Sequence, residues 1–164
     1  MIVLGIDPGF AITGFGVIRY EGNSFKLLDY GTISTTPDIA FDIRLLTISQ
    51  QLERIIDTYK PKQAAVEELF FNTNAKTAIK AAQGRGVSVV TCAMHGLEIF
   101  EYTPLQVKQA VVGYGRATKQ QVQQMVKTIL CLKEIPKQDD AADALAVAIC
   151  HSHSSQIMRR IKGE

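Results

Sequence analysis

Cysteine is scarce in this chain. The three present, Cys92, Cys131 and Cys150, are odd in number and show no paired spacing. That argues against a disulfide scaffold and fits a reducing, cytoplasmic setting. Long apolar runs are missing as well: none reaches the roughly 20 residues that a membrane helix needs, so no membrane association is expected. The opening MIVLGIDPGF has no basic lead-in and meets Asp7 and Pro8 at once, which reads as a buried strand rather than a signal peptide. No P-loop, no G-x-S-x-G elbow and no Cys/His pair with a supporting block occurs. The run Cys150-His151-Ser152-His153 does not supply four zinc ligands at proper spacing, and a His near a helix C-terminus has an ordinary dipole explanation. Internal repeats, low-complexity runs and domain linkers are also lacking.

What is present is enough for one core. The 164 residues are 46% hydrophobic and 21% charged, which excludes wholesale disorder. One domain spanning residues 1–164 is expected, with a frayed tail from about Ser154. The net charge of +2 says little, but its distribution says more. From Leu69 to Lys133 there are eight Lys/Arg and two Asp/Glu, and from Tyr102 to Lys133 five basic residues and no acidic one. Such a stretch is either a solvated helical face or a surface for phosphates.

The pattern of elements reads βββ-α-β-α-β-α-α-α. Met1–Ile6, Thr13–Tyr20 and Ser24–Thr35 are expected strands, the last two joined by a Glu21-Gly22-Asn23 hairpin turn. Thr36-Pro37 reads as an N-cap followed by proline at N1. Ile39, Ile43, Leu46, Leu52, Ile55 and Ile56 then mark a helical stripe to about Tyr59. A strand is expected over Ala64–Phe70, a helix from Asn74 to about His95, and a fifth strand at Leu97–Tyr102. Helices follow at Pro104–Val112, at Thr118–Leu132 with Thr118 as N-cap, and from Asp139 to about His153. This order predicts the α/β class: three antiparallel strands, then parallel additions, in one mixed sheet with helices on both faces.

Several acidic residues sit where packing alone does not want them. Asp7 ends an apolar strand, Glu67 and Glu68 lie in AAVEELF, and Asp139, Asp140 and Asp143 precede or interrupt an Ala-rich helix. A charge in such surroundings costs several kcal/mol unless paired or bound to a cation. Turn, edge-strand and capping roles explain most of them singly. Asp143, past the first turn, has no such explanation. Strand alternation lets one of Glu67 and Glu68 face a site, not both; helical spacing lets Asp143 join Asp139 or Asp140. Converging carboxylates of this kind hold Mg²⁺ or Mn²⁺, and two such ions about 3.5–4 Å apart support phosphodiester hydrolysis.

GIDPGFAITGFGVI, VEELFF, FEYTPLQVKQAVVGYG and DDAADALAVAICHSH, in that order and covering most of the chain, resemble the bacterial crossover junction endodeoxyribonuclease (RuvC) family. The resemblance implies a ribonuclease H-like fold and a homodimer that resolves four-way Holliday junctions by symmetric Mg²⁺-dependent cuts in recombination and repair. It further implies association with the branch-migration proteins RuvA and RuvB. By motif, the catalytic and metal-binding carboxylates would be Asp7, Glu67, Asp140 and Asp143; the D-A-A-D-A block selects Asp140 over Asp139, and V-E-x-x-F selects Glu67 over Glu68. Phe70 would meet the junction, with adjacent Phe71 a competing candidate and core packing the ordinary alternative. Lys108, Lys119 and Arg85 would contact DNA, although surface lysines are commonly just solvated. Helix Asn74–His95 has no acidic residue and more apolar residues than one core stripe needs (Ile79, Val87, Val89, Val90, Met94), which makes it the candidate dimer surface.

Two other readings compete. A non-catalytic junction-binding module would have no reason to keep four such acids. The G-I-D-P-G opening also resembles the phosphate hairpin of actin-like ATPases and sugar kinases, but those need a duplicated core and a second Asp-Gly phosphate loop, and neither is present.

Overall fold

A computed structural model describes residues 1–69 and 75–162, with side chains in the last helix described as far as residue 155. Five strands lie in the order β3-β2-β1-β4-β5: β1 Ile2–Asp7, β2 Ile12–Glu21, β3 Ser24–Ser34, β4 Gln63–Glu67 and β5 Glu98–Tyr102. β1–β2 and β2–β3 are antiparallel, while β1–β4 and β4–β5 are parallel. The mixed sheet read from the sequence is therefore present. The described residues also form five helices: α1 Phe41–Tyr59, α2 Ala75–Met94, α3 Pro104–Val112, α4 Lys119–Ile129 and α5 Asp139–Lys162.

The pleat divides the core in two. Leu4, Ile6, Val17, Ala64 and Val66 pack with Ile48, Leu52, Ile56 and Cys92 of α1 and α2. Val3, Ile18 and Ala65 face the other way and pack with Val107, Val122, Val126 and Leu145 of α3, α4 and α5. Adjacent strand residues thus serve opposite layers, as the period of two requires.

α5 is the central helix, buried almost all round from Ala141 to Ser152 except at Asp143. It approaches the sheet this closely because β1 and β2 present glycines to it. A Cβ on Gly5 would run into the Ala144 carbonyl, one on Gly14 into the Asp140 carbonyl, and one on Gly16 into the Leu145 side chain.

The helix starts follow their chemistry unevenly. Thr103 and Thr118 each close a capping box, with Gln106 and Gln121 respectively, so Thr118 is the N-cap its position suggests. Thr36 is not a cap. The Ile39 N–H reaches the Thr36 carbonyl at 3.2 Å in a turn, and α1 begins at Phe41 after Ala40, which makes no side-chain cap. Ile39, Ile43 and Leu46 are consequently exposed, and the buried positions of α1 are Arg44, Ile48, Leu52 and Ile56. β4 stops at Glu67 rather than reaching Phe70, and α5 continues to Lys162 rather than ending near His153.

Candidate active site

The sheet pleat decides which carboxylates meet. Val3, Gly5 and Asp7 alternate onto the α5 face, and so do Ala65 and Glu67 on the neighbouring parallel strand. Glu68 lies beyond the strand, its N–H bonded to the Tyr102 carbonyl at 2.9 Å. Asp7 pairs across the sheet with Gly14, the glycine that admits the first turn of α5. That close approach brings Asp140 and Asp143 to the end of β1. The loop after Asp7 is pinned by Thr13, whose hydroxyl donates to the Gly9 carbonyl at 2.8 Å.

The charges of these side chains register on one another. Burial pushes the Asp7 carboxyl up to about 8, and Glu67, Asp143 and Asp140 push it the same way. Burial, then Asp143, pushes Glu67 up to about 6, against the pull of a hydrogen bond with Asp7 and of the ammonium groups of Lys119 and Lys108. Crowded this way, the pair holds a proton between them more readily than two free carboxylates would. Asp143 is also raised, by burial, against the attraction of Lys119.

Lys119 stands at the head of α4. Its Nζ lies 3.3 Å from Oδ2 of both Asp139 and Asp143. Together with Glu67, Asp143 and Lys108 it lines a cavity of about 220 Å³. Asp139, which sequence reasoning set aside, holds this lysine and also accepts from Gln123 Nε2 at 2.9 Å. Its signal was weak, because an Asp at a helix start has an ordinary dipole role. Arg85 does not join this group. Its guanidinium is paired with Glu101 of β5. Phe70 and Phe71 lie outside the described residues.

Every donor at the end of β1 is a carboxylate oxygen, the ligand type that Mg²⁺ and Mn²⁺ prefer. Among the described residues no three side chains are gathered into one ligand set; a shared proton and Lys119 offset the crowding instead. The donor chemistry and the raised Asp7 and Glu67 carboxyls fit a divalent cation.

Comparison with known proteins identifies the family and the fold. Residues 3–151 match the family described as crossover junction endodeoxyribonuclease RuvC. The chain belongs to the RuvC family. The RuvC of Alkaliphilus oremlandii is 61% identical over 99% of both chains, and that of Ruminiclostridium cellulolyticum is 60% identical over 96% of this chain and 95% of its own. Thermus thermophilus RuvC in complex with Holliday junction substrate is 35% identical, with a TM-score of 0.92 over 96% of both chains. The yeast mitochondrial Holliday junction resolvase, 13% identical with a TM-score of 0.67, shares the fold alone. The fold is ribonuclease H-like, and the chain is an endodeoxyribonuclease of a metal-dependent family.

Proposed function

We propose that this chain resolves four-way junctions by paired, symmetric hydrolysis, with Asp7, Glu67, Asp140 and Asp143 as catalytic carboxylates. The supporting observation is the crowding at the end of β1, where Asp7 is pushed up to about 8 by burial and three neighbouring acids. A folded protein has no use for that arrangement unless it binds positive charge. Mg²⁺ is the cation we assign, two per site, with Mn²⁺ a workable substitute; bound there, it would supply Lewis acidity at the scissile phosphate and acidify the attacking water. The four carboxylates would hold it. Lys119 and Lys108, facing the same cavity as Glu67 and Asp143, would orient the phosphate. Hydrolysis breaks the P–O3′ bond, the water oxygen joins phosphorus, and the 3′ oxygen leaves with a proton.

One site gives one nick, and a four-way junction needs two nicks related by a two-fold axis, so a C₂ homodimer is the simplest assembly. α2 offers the surface. Ile79, Val90 and Met94 are 60%, 51% and 77% exposed along one side, and between them Gly86 has open space where a Cβ would be. Val87 and Val89 pack instead on the core. Action within one nuclease domain, in the cytoplasm, with RuvA and RuvB as partners in recombination and repair, completes the reading; no described helix is long and apolar enough to cross a membrane.

The test is a labelled four-way junction incubated with Mg²⁺ and either wild-type protein or Asp7→Asn. The variant should bind the junction and leave it uncut. Retained cutting would refute the assignment.

A further inference from the structure

A second basic surface lies on the other side of the sheet from Lys108 and Lys119. The β1–β2 loop, the start of α1 and the first half of α2 enclose a groove of about 760 Å³. Phe10, Pro37 and Phe41 make its apolar part, Arg44, Lys76 and Lys80 its charged part, and among the described residues no acidic side chain lines it.

Arg44 is the unusual member. It is 7% exposed, and among the described residues no carboxylate forms an ion pair with it. Its Nε–H donates to Thr35 Oγ1 at 2.9 Å, and Nη2 to the Thr35 carbonyl at 3.3 Å. The Thr35 hydroxyl in turn donates to the Phe10 carbonyl at 2.7 Å. The guanidinium carbon stands 3.9 Å from the Phe10 ring centroid, and Lys80 Nζ stands 5.8 Å from the same ring. The exposed carboxyl of Asp38 feels the Arg44 charge only weakly and forms no ion pair with it, so a cation this buried still favours an anion beside it. The other ring of the pair, Phe41, lies with its centroid 5.5 Å from that of Phe10 and is 46% exposed.

The chemistry of the groove selects its occupant. A flat apolar group fits the open Phe41 ring, and an anion fits three cations with no acid among them. A second copy of this chain would bring the same cations against themselves, with no carboxylate in the groove to pair them. A nucleotide supplies both parts. The location agrees: Phe10 is three residues after Asp7, so the two Cα atoms are at most roughly 10 Å apart. With one phosphate per roughly 3.4 Å of strand, the groove is reachable within about three nucleotides of a phosphate at the carboxylates.

We propose that this groove binds one unpaired nucleotide of the junction strand, its base against Phe41 and its phosphate beside Lys76 and Lys80, on the flank of the cut. The assignment rests on the junction-cleaving reading above. It puts the strand between two basic surfaces, the groove on one side of the carboxylates and the Lys108–Lys119 cavity on the other.

The test uses the full chain in EDTA, so that binding is read without cutting. The junction carries 2-aminopurine at successive positions around the exchange point. Wild-type protein should quench one position within about three nucleotides of the cleaved bond. Phe41→Ala should abolish that quench and weaken junction binding roughly five- to 150-fold, the range for losing one base–aromatic stack. Phe41→Leu, which keeps the apolar contact, should abolish the quench while its melting temperature stays near wild type. Lys80→Gln should flatten the dependence of log K on log salt by roughly 0.7.

Unchanged quenching and affinity in Phe41→Leu and Lys80→Gln would overturn the groove assignment while leaving the nuclease reading intact. A monomer–dimer shift in sedimentation with no change in quenching would also overturn it, by making the groove a subunit contact. Loss of the quench on adding free thymidine monophosphate would transfer the site to a free nucleotide and overturn the assignment to strand DNA. Failure of the wild-type protein to bind any junction would overturn the parent reading as well.

Discussion

Replacing Asp7 by Asn separates folding from chemistry, and the sign of the effect can be worked out. In the folded protein the Asp7 carboxyl sits at about 8, against 3.8 for an ordinary aspartate, raised by burial first and by Glu67, Asp143 and Asp140 after it. Between those two values the folded state keeps a proton that the unfolded state gives up. Stability therefore falls as pH rises from about 4 to 8. At about 1.4 kcal/mol per pH unit the full penalty approaches ~6 kcal/mol; screening by the water that still reaches this half-buried group reduces it to about 2–4 kcal/mol. Asparagine carries no charge and keeps a donor for Glu67. Without metal, Asp7→Asn should melt higher than wild type by roughly 5–15 °C at pH 8, since 1 kcal/mol moves the midpoint of a chain this size by roughly 2–4 °C. The difference should shrink toward zero near pH 4. Added Mg²⁺ should raise the wild-type midpoint and leave the variant's almost unmoved, because a ligand stabilises only the state that binds it. Thermal melts across pH, with and without Mg²⁺, check all three. An Asp7→Asn protein that melts lower at pH 8, or gains as much from Mg²⁺ as wild type, would refute the reasoning.

Lys119→Ala removes two ion pairs with Asp139 and Asp143; both are partly exposed, so stability should change by less than ~1 kcal/mol, while cleavage drops and the junction-binding salt slope flattens by roughly 0.9. An unchanged slope and rate would make it a solvated lysine. Gly14→Ala places a methyl group against the Asp140 carbonyl; overpacking of roughly 1–3 kcal/mol and loss of cutting are expected, read by melting and by junction cleavage, and a fully active, equally stable variant would exclude the close approach of α5. His151 is 1% exposed, and burial pushes it down to about 4 from 6.5. Its contribution is complete above pH 6.5 and is lost as pH falls toward 4, roughly 3 kcal/mol in all; His151→Gln should therefore show a shallower loss of stability between pH 7 and 5, measured by denaturant midpoints, and parallel curves would contradict it.

The fold was largely legible because its signals are local. β1 is a short apolar run with β-branched residues at Ile2, Val3 and Ile6, the Gly22-Asn23 turn adopts positive φ at both residues as a tight hairpin demands, and α3 and α4 carry capping boxes. The start of α1 was not legible. Thr36-Pro37 has the form of a cap, but the Thr35–Arg44 and Thr35–Phe10 hydrogen bonds tie the chain back on itself, a tertiary demand that no window of sequence displays. The same network explains why Arg44 interrupts an otherwise apolar stripe. Among the acids, spacing alone left Glu67 against Glu68 and Asp139 against Asp140 open; that Glu67 rather than Glu68 stands on the α5 face is a property of the assembled sheet. The pairing of Arg85 with Glu101 spans α2 and β5 and had no trace in either segment.

The glycines of β1 and β2 connect these observations. A sheet normally keeps a packed helix about 10 Å away through side chains on both surfaces, and at that distance carboxylates on a strand end and on a helix would face each other across a layer of side chains. Removing the Cβ at Gly5, Gly14 and Gly16 lets the α5 backbone rest directly on the strands, and the alanines of α5 let it stay there. The close packing and the clustered charge are thus one structural decision. The apolar contact along Ala141–Ile149 stabilises an approach that the acids at its end oppose. This predicts a gradient along one helix: substitutions toward Ile149 act on stability, while those at Asp140 and Asp143 act on chemistry. If the carboxylates hold a cation as proposed, that cation would offset the repulsion at the end of β1, and its affinity would depend on how tightly the glycines hold α5 against the sheet.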